Sequence, residues 1–139
     1  MFLYISQNFF MQRATGIGGV FIKANDPKAL AAWYDKHLGL SFGENTYLTF
    51  TWVNENNPAV PGSTVFSFFK NETDYFDPSA SPFMINFRVK DLAALIETLK
   101  QEGVETVGEM MIEEYGKFGW IMDPEGNKIE LWEPVDEKL

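Results

Sequence analysis

The chain has 139 residues, a size typical of one domain, and its 45% hydrophobic and 22% charged residues are ordinary for a globular protein. It contains no cysteine, which excludes disulfides, thiolate metal sites and a cysteine nucleophile. Its formal net charge is −9 and it has no run of Lys or Arg, so we expect neither nucleic acid nor membrane as a partner.

The opening residues, MFLYISQNFFMQRATG, are partly apolar but do not resemble a signal peptide. No basic region precedes the apolar stretch, polar residues interrupt it at Ser6, Gln7 and Asn8, and no small-residue cleavage site follows. No other apolar run approaches the roughly 20 residues that cross a bilayer. We therefore expect a soluble cytoplasmic protein. Its native start is Met11, or Met1 with an ordered arm that packs on a neighbour.

The patterned sequence begins with a predicted strand around Gly19 and an amphipathic helix after it. Asp26 suits the N-cap and Pro27 the first helical position. Gly39 fits the left-handed position that commonly ends a helix. The apolar residues recur at helical spacing, at Leu30, Trp33, Tyr34 and Leu38. His37, the only histidine, falls near the helix C-terminus, where the helix dipole favours a cation, and we interpret it as structural.

Three strands are predicted in the region that follows, Leu40–Phe69. It is rich in β-branched and aromatic residues, and turn-forming sequences divide it at 43–45 and 54–63. The next segment, Lys70–Pro82, is polar and contains two prolines, so we interpret it as a linker.

The second half of the chain repeats this arrangement. Met84 begins a predicted strand, Asp91 is an N-cap and Gly103 ends a second helix. Three further strands are predicted over Val104–Glu109, Phe118–Met122 and Lys128–Glu133. The acidic segment Glu109–Glu114 is interpreted as a solvated loop or short edge strand, or as the border of a binding site with Tyr115 and Lys117 at its rim.

The two halves have nearly the same spacing, which indicates an internal repeat. The number of residues between equivalent positions is the same to within one residue for three pairs, Asp26 and Asp91, Gly39 and Gly103, and Gly62 and Gly126. The sequence therefore predicts a single domain of two tandem βαβββ modules. The first covers about residues 16–69, the linker 70–82, and the second about 83–134.

The repeat, together with WYDKHLGL in the first helix and FGWIMDPEGNKIELWEP near the end, resembles the vicinal oxygen chelate superfamily of glyoxalases, bleomycin resistance proteins and extradiol dioxygenases. The resemblance covers about Ile17–Pro134. It implies an α+β fold in which the two modules form an incomplete barrel around a cup. In that family the cup holds a metal ion or a small ligand.

The resemblance also implies where metal ligands would lie, on the first and last strand of each module. Those positions hold Gly19, Phe66, Met84 and Glu130. Only Glu130 suits a divalent metal, because glycine and phenylalanine offer no donor and a thioether prefers softer ions. We therefore predict no metal site and no cofactor.

Side chains alternate along a strand, so residues two and four positions after Gly19 and Met84 also face the cup. The last strand adds Lys128 and Trp132 beside Glu130. With aromatic side chains as walls, the predicted ligand-binding residues are Phe21, Lys23, Trp52, Phe68, Asn86, Arg88, Trp120 and Trp132. The aromatic members also fit an alternative interpretation as core residues.

Glu130 allows two interpretations. It is either a structural carboxylate paired with Lys23 or Arg88, because an unpaired buried charge is unfavourable, or a catalytic acid/base or ligand-orienting group assisted by Asn86 and Arg88.

Three functional hypotheses follow from the resemblance. The first is a metal-independent small-molecule-binding protein, similar in role to the bleomycin resistance branch, which sequesters a ligand in an aromatic cleft of a homodimer. The acidic charge fits the cationic ligands of that branch.

The second hypothesis is a lyase, isomerase or dioxygenase with Glu130 in an atypical metal site. The third is a metal-free catalyst in which Glu130 moves a proton and Arg88 or Lys23 stabilises an oxyanion. Whether the protein is an enzyme stays open at this point.

Overall fold

The computed structural model describes residues 13–55 and 57–139, so the predictions about Met1, Met11 and an N-terminal arm lie outside the described residues. Within these ranges seven strands form one sheet in the order β2-β3-β1-β4-β7-β6-β5. The strands are β1 Ala14–Ala24, β2 Tyr47–Trp52, β3 Gly62–Lys70, β4 Phe83–Val89, β5 Met111–Glu113, β6 Gly116–Met122 and β7 Lys128–Pro134. Two helices, α1 Pro27–Leu38 and α2 Leu92–Gln101, and a short 3₁₀ turn at Asp136–Lys138 complete the fold.

The sheet joins the two halves of the chain through their first strands. In each half the first strand pairs in parallel with the last one, β1 with β3 and β4 with β7. The strands β1 and β4 then pair antiparallel with each other. The sheet is curved but not closed, with β2 and β5 at its edges. The predicted α+β fold with an incomplete barrel is confirmed.

Both helices begin at the predicted residues. The carboxylate of Asp26 accepts a hydrogen bond from the backbone N–H of Ala29 at 3.1 Å, and Asp91 accepts from Ala94 at 3.1 Å. These side chains satisfy N–H groups that have no partner within a helix. Gly39 ends α1 with a left-handed φ of 67°. Neither helix in the described part of the chain is long and apolar enough to cross a bilayer.

Between α1 and the linker, the described residues form two strands, β2 and β3, so the prediction of three strands over Leu40–Phe69 is wrong. Asp35, on the last turns of α1, accepts the backbone N–H groups of Phe42 at 2.8 Å and Gly43 at 3.1 Å. These bonds hold the chain as a turn against the helix, and backbone groups occupied in this way are not available for a strand ladder.

In the second half, the predicted strand Val104–Glu109 is also wrong. It is reduced to one isolated bridge between Thr106 and Ile121, and Gly108 takes a φ of 67° that is incompatible with an extended strand. The acidic segment contributes the three-residue edge strand β5, which agrees with one of its sequence interpretations.

Apolar side chains pack on both faces of the sheet. On the helix side, one cluster forms around Phe42 and Phe68 and another around Leu92 and Leu131. The third cluster lies on the concave side and combines Phe21, Phe76 and Met84 with Tyr75 and Trp120 at its edge. The concave face is therefore partly filled by apolar side chains.

The linker 70–82 folds into the concave face and belongs to the core. Phe76 is fully buried there between Phe21 and Met84. The Lys128 ammonium donates a hydrogen bond to the Tyr75 carbonyl at 2.8 Å, and the Lys23 N–H donates to the Pro82 carbonyl at 2.8 Å. The segment therefore closes one end of the cup.

We expect Phe76→Ala to lower the free energy of unfolding by about 3–5 kcal/mol, because it removes a fully buried ring and leaves a cavity. Phe83→Ala is the matched control, since Phe83 is 39% exposed and its loss should cost about 1 kcal/mol. Urea unfolding of both variants measures the difference. Equal losses would show that the linker does not support the core.

Candidate functional site

The concave face encloses a cavity of about 470 Å³, which is within the size range of small-molecule sites. Its walls include the aromatic side chains of Phe21, Phe118, Trp132 and Tyr115. Its polar lining side chains are Thr49, Thr51, Ser63, Asn86 and Glu130. The lining residues come from six strands, from the turn before β6 and from Leu139. The cavity therefore exists only once the sheet has folded.

Glu130 is the ionisable side chain at the centre of this face, and it is 2% exposed. Its Oε1 accepts from Asn86 Nδ2 at 2.6 Å. Its Oε2 accepts from Trp120 Nε1 at 2.8 Å and from the Tyr75 hydroxyl. Three neutral donors thus stabilise the buried carboxylate, as buried charges require.

The predicted pairing of Glu130 with Lys23 or Arg88 is wrong. Among the described residues, none of the ion pairs includes Glu130 or Lys23. The Lys23 ammonium lies over the Phe76 ring at 5.3 Å, and Arg88 pairs with Asp136. Both cations are used in holding other segments.

Sheet register brings the donors of Glu130 together. In the parallel pair of β4 and β7, Asn86 is the register partner of Glu130. In the antiparallel pair of β6 and β7, Trp120 is its partner on the other side. Side chains of such partners lie on the same face and next to each other. Tyr75 arrives from the linker and completes the set.

The Tyr75 hydroxyl is held in its protonated form. Burial, and then the charge of Glu130, raise the pKa of Tyr75 well above its ordinary value. The hydroxyl therefore donates to Glu130 throughout the neutral range. Burial also lowers the pKa of Lys128, against the opposing effect of the Glu130 carboxylate.

Arg88 lies at the other end of the concave face and fastens the C-terminal segment. Its Nη2 contacts Asp136 Oδ2 at 2.6 Å and its Nη1 donates to the Ser63 carbonyl at 3.2 Å. The guanidinium lies between the rings of Trp52 and Trp132, at 5.1 and 5.4 Å. These contacts give both terminal nitrogens of the guanidinium a hydrogen-bond acceptor and stack its plane on aromatic faces.

The predicted site residues thus divide into groups. Four line the cavity, namely Phe21, Asn86, Glu130 and Trp132. Trp120 supports Glu130, while Lys23, Arg88 and Trp52 make the structural contacts described above. Of the two predicted rim residues, Tyr115 lines the cavity and Lys117 lies 3.8 Å from Glu133 on the sheet.

The placement of Phe68 in the cup wall is wrong. Phe68 and Phe66 lie on the helix side, where Phe68 packs on Phe42 at 5.2 Å between ring centroids. The register of β1 and β3 pairs Gly19 with Val65, and Val65 lines the cavity. The sequence repeat was therefore out of register by one residue in this strand, which turns every side chain to the other face.

Sequence reasoning missed Tyr75, Phe118 and the hydroxyl residues of β2 and β3. Phe118 had a usable signal, because the predicted turn between the last two strands places it opposite Trp132, on which its ring stacks at 5.9 Å. Tyr75 had none, since a linker has no periodicity from which to predict its contacts.

The residues present do not fit a family-type metal centre. Within 13–55 and 57–139, no group of three or more His, Cys, Asp or Glu side chains is placed to bind a metal ion. Gly19 offers no donor, and Met84 is fully buried against Phe21 and Phe76. Glu130 Oε2 accepts from Trp120 and Tyr75 and Oε1 accepts from Asn86, which leaves one lone pair of this carboxylate for a metal.

A sequence profile of the Glyoxalase/Bleomycin resistance protein/Dioxygenase superfamily matches residues 16–131. No curated protein gives a match. The profile confirms the resemblance predicted from the repeat and the two motifs.

Several solved structures are similar. Methylmalonyl-CoA epimerase from Mycobacterium tuberculosis has a TM-score of 0.60 and 21% identity over 90% of this chain and 91% of its own. A methylmalonyl-CoA epimerase variant from Streptomyces coelicolor, in complex with 2-nitronate-propionyl-CoA, has a TM-score of 0.60 and 17% identity, covering 88% and 99%. A glyoxalase/bleomycin resistance protein/dioxygenase superfamily member from Vibrio splendidus 12B01 has a TM-score of 0.55 and 11% identity, covering 84% and 97%. At these identities the similarity shows the fold alone.

We expect Gly18→Ala to displace Asn86 and disturb the Glu130 network. A Cβ on Gly18 would lie 2.2 Å from Asn86 Oδ1 and 2.9 Å from the Trp132 ring. Overpacking of this kind costs about 1–3 kcal/mol. Gly16→Ala is the control, because its nearest atom, Arg88 Cδ, is 4.0 Å away. Unfolding free energies and the side-chain amide resonance of Asn86 measure the effect; an unshifted resonance in Gly18→Ala would contradict it.

We also expect Tyr75 to stay protonated at pH values where a free tyrosine ionises. In alkaline titrations followed by tyrosinate absorbance, wild type and Tyr75→Phe should show the same titration near pH 10. The stability that Tyr75 gains in the folded state is fully present below its unfolded pKa of about 10 and is lost as the pH rises through the higher folded value. A step near pH 10 that is missing only in Tyr75→Phe would contradict this assignment.

Proposed function

The chain belongs to the glyoxalase/bleomycin resistance protein/dioxygenase superfamily, and we propose that it binds a small organic molecule in the cavity beside Glu130 without a metal ion. One observation supports this most directly. The Glu130 carboxylate is held by three neutral donors and borders an aromatic cavity.

The lining of the cavity supports a binding role. Apolar and aromatic walls with a few convergent polar groups are typical of small-molecule sites, because the walls supply burial and the polar groups fix orientation. Here the rings of Phe118 and Trp132 stack in parallel, and Asn86 and Glu130 supply polar groups at the centre of the concave face. A flat molecule of modest size suits this arrangement.

We base the metal independence of this proposal on the hydrogen-bond donors around Glu130. A divalent centre needs about three protein ligands with free lone pairs. Glu130 has one open lone pair, on Oε1, and a metal that took more of this carboxylate would displace the hydrogen bonds from Tyr75, Asn86 or Trp120 and leave buried donors without partners. That loss opposes coordination at this carboxylate.

A second candidate function is metal-free proton transfer with Glu130 as the base. This function is favoured because Glu130 Oε1 accepts only one hydrogen bond, from Asn86. One of its lone pairs therefore stays open to a substrate proton. Glu130 would take the proton and become a neutral acid. Arg88 and Lys23, the predicted oxyanion partners, are engaged with Asp136 and the Phe76 ring and do not line the cavity. We therefore favour sequestration over catalysis.

We expect ligand binding to persist in a metal chelator and purified protein to contain less than stoichiometric Mn, Ni, Zn or Fe. A thermal-shift screen of metabolites and drug-like compounds, run with chelator, identifies ligands, and mass analysis of the recovered ligand separates sequestration from turnover. Val65→Trp should fill the cavity and abolish the shift, whereas Val53→Trp, at a position that is 75% exposed, should not. A stoichiometric metal that Glu130→Gln removes would overturn the proposal.

The proposal includes a cytoplasmic homodimer that acts on neither nucleic acid nor membrane. Exposed aromatic residues on the edge strand β2, Tyr47 and Phe50, offer apolar surface for self-association. Light scattering of the purified chain gives the subunit count, and a monomer at micromolar concentration would contradict this part of the proposal.

A further inference from the structure

We propose that the ligand carries a cationic nitrogen with at least two N–H donors, and that this group binds Asn86 Oδ1 and Glu130 Oε1 together. The cavity would accordingly favour primary amines or amidines on an aromatic body and reject carboxylates and phosphates. This inference rests on the proposed binding function and adds the chemical class of the ligand.

The first supporting observation is a buried carbonyl oxygen without a partner. Asn86 is 2% exposed and its Oδ1 has no hydrogen-bond partner. Its orientation is fixed, because Nδ2 donates to Glu130 at 2.6 Å and a rotated amide would place two acceptors together. Oδ1 therefore points toward Gly18, another lining residue, and 2.2 Å from where a Cβ on Gly18 would lie.

The second observation is the open lone pair on Glu130. Its Oε2 accepts two hydrogen bonds, from Tyr75 and Trp120, whereas Oε1 accepts one, from Asn86. A carboxylate oxygen has two lone-pair sites. The two open acceptors thus belong to adjacent, hydrogen-bonded side chains of the cavity, and a nitrogen with two N–H groups satisfies both.

The charge of the cavity indicates a cation. Its lining includes the Glu130 carboxylate and, among the described residues, no Lys, Arg or His. The nearby cations are engaged elsewhere, Lys128 with the Tyr75 carbonyl and Arg88 with Asp136. An anionic ligand would face the carboxylate without a counter-ion, whereas a cation gains Coulomb attraction and contact with aromatic faces.

The other unpartnered buried atoms do not change this assignment. Trp132 Nε1 is a donor, but it lies beside Gly116, whereas the Cε3 side of the same ring lies beside Gly18 and Asn86 Oδ1. Asp136 Oδ1 belongs to the C-terminal turn and does not line the cavity. The open groups of Asn86 and Glu130 are both hydrogen-bond acceptors.

Calorimetry of the full chain with three probes of similar shape tests the inference. Tryptamine is a cation, tryptophol is neutral and indoleacetate is an anion at neutral pH. We expect tryptamine to bind at least about tenfold more tightly than tryptophol, and indoleacetate most weakly. Glu130→Gln should lower the affinity for tryptamine about tenfold and leave tryptophol within about twofold. Glu125→Gln, an exposed charge change in the turn before β7, should alter neither.

Several results would overturn the inference. One is binding of tryptophol or indoleacetate that is as tight as that of tryptamine or tighter. The others are that none of the three probes binds, or that tryptamine still binds to the Val65→Trp variant. The rank order in the wild-type protein decides even where Glu130→Gln does not fold. A ligand of other chemistry that binds in chelator and is lost in Val65→Trp would leave the proposed function standing while this inference fails.

Discussion

A buried carboxylate, Glu130, is held on the concave face by neutral groups from three separate parts of the chain. Asn86 comes from β4, Trp120 from β6 and Tyr75 from the linker between the two halves. Because an unsatisfied buried charge is strongly unfavourable, these segments have to be in place together. The hydrogen bonds to Glu130 therefore tie the second module and the linker into one arrangement and place a negative charge beside a cavity.

Two cationic side chains support this arrangement, and neither forms an ion pair with Glu130. Lys128 binds the linker through the Tyr75 carbonyl, and Arg88 binds the C-terminal turn through Asp136. Aromatic rings cover both cations, with Trp52 and Trp132 around Arg88. The positive charges are thus used to fasten segments, and the charge presented to the cavity is that of Glu130.

The same fold accommodates different chemistry when the groups at a few strand positions change. A divalent metal centre needs nitrogen or oxygen donors that Gly19 and Met84 do not offer, and here a fully buried Met84 contributes to the apolar packing instead. Similarity to the methylmalonyl-CoA epimerases extends over most of the chain but at 16–21% identity. Function therefore has to be argued from the side chains in the cavity.

The sequence by itself determined the class of fold, the helix starts and the lack of a side-chain donor at Gly19. Asp26 and Asp91 cap helices through local hydrogen bonds, and Gly19 lacks a donor in any conformation, so these features need no distant contact. Only the tertiary structure decided the faces of β3 and the partners of Glu130. A one-residue difference in register moved Phe66 and Phe68 to the helix side, and Tyr75 reaches Glu130 across 55 residues of sequence. Local patterns do not encode such long-range contacts, since they depend on how whole strands pair.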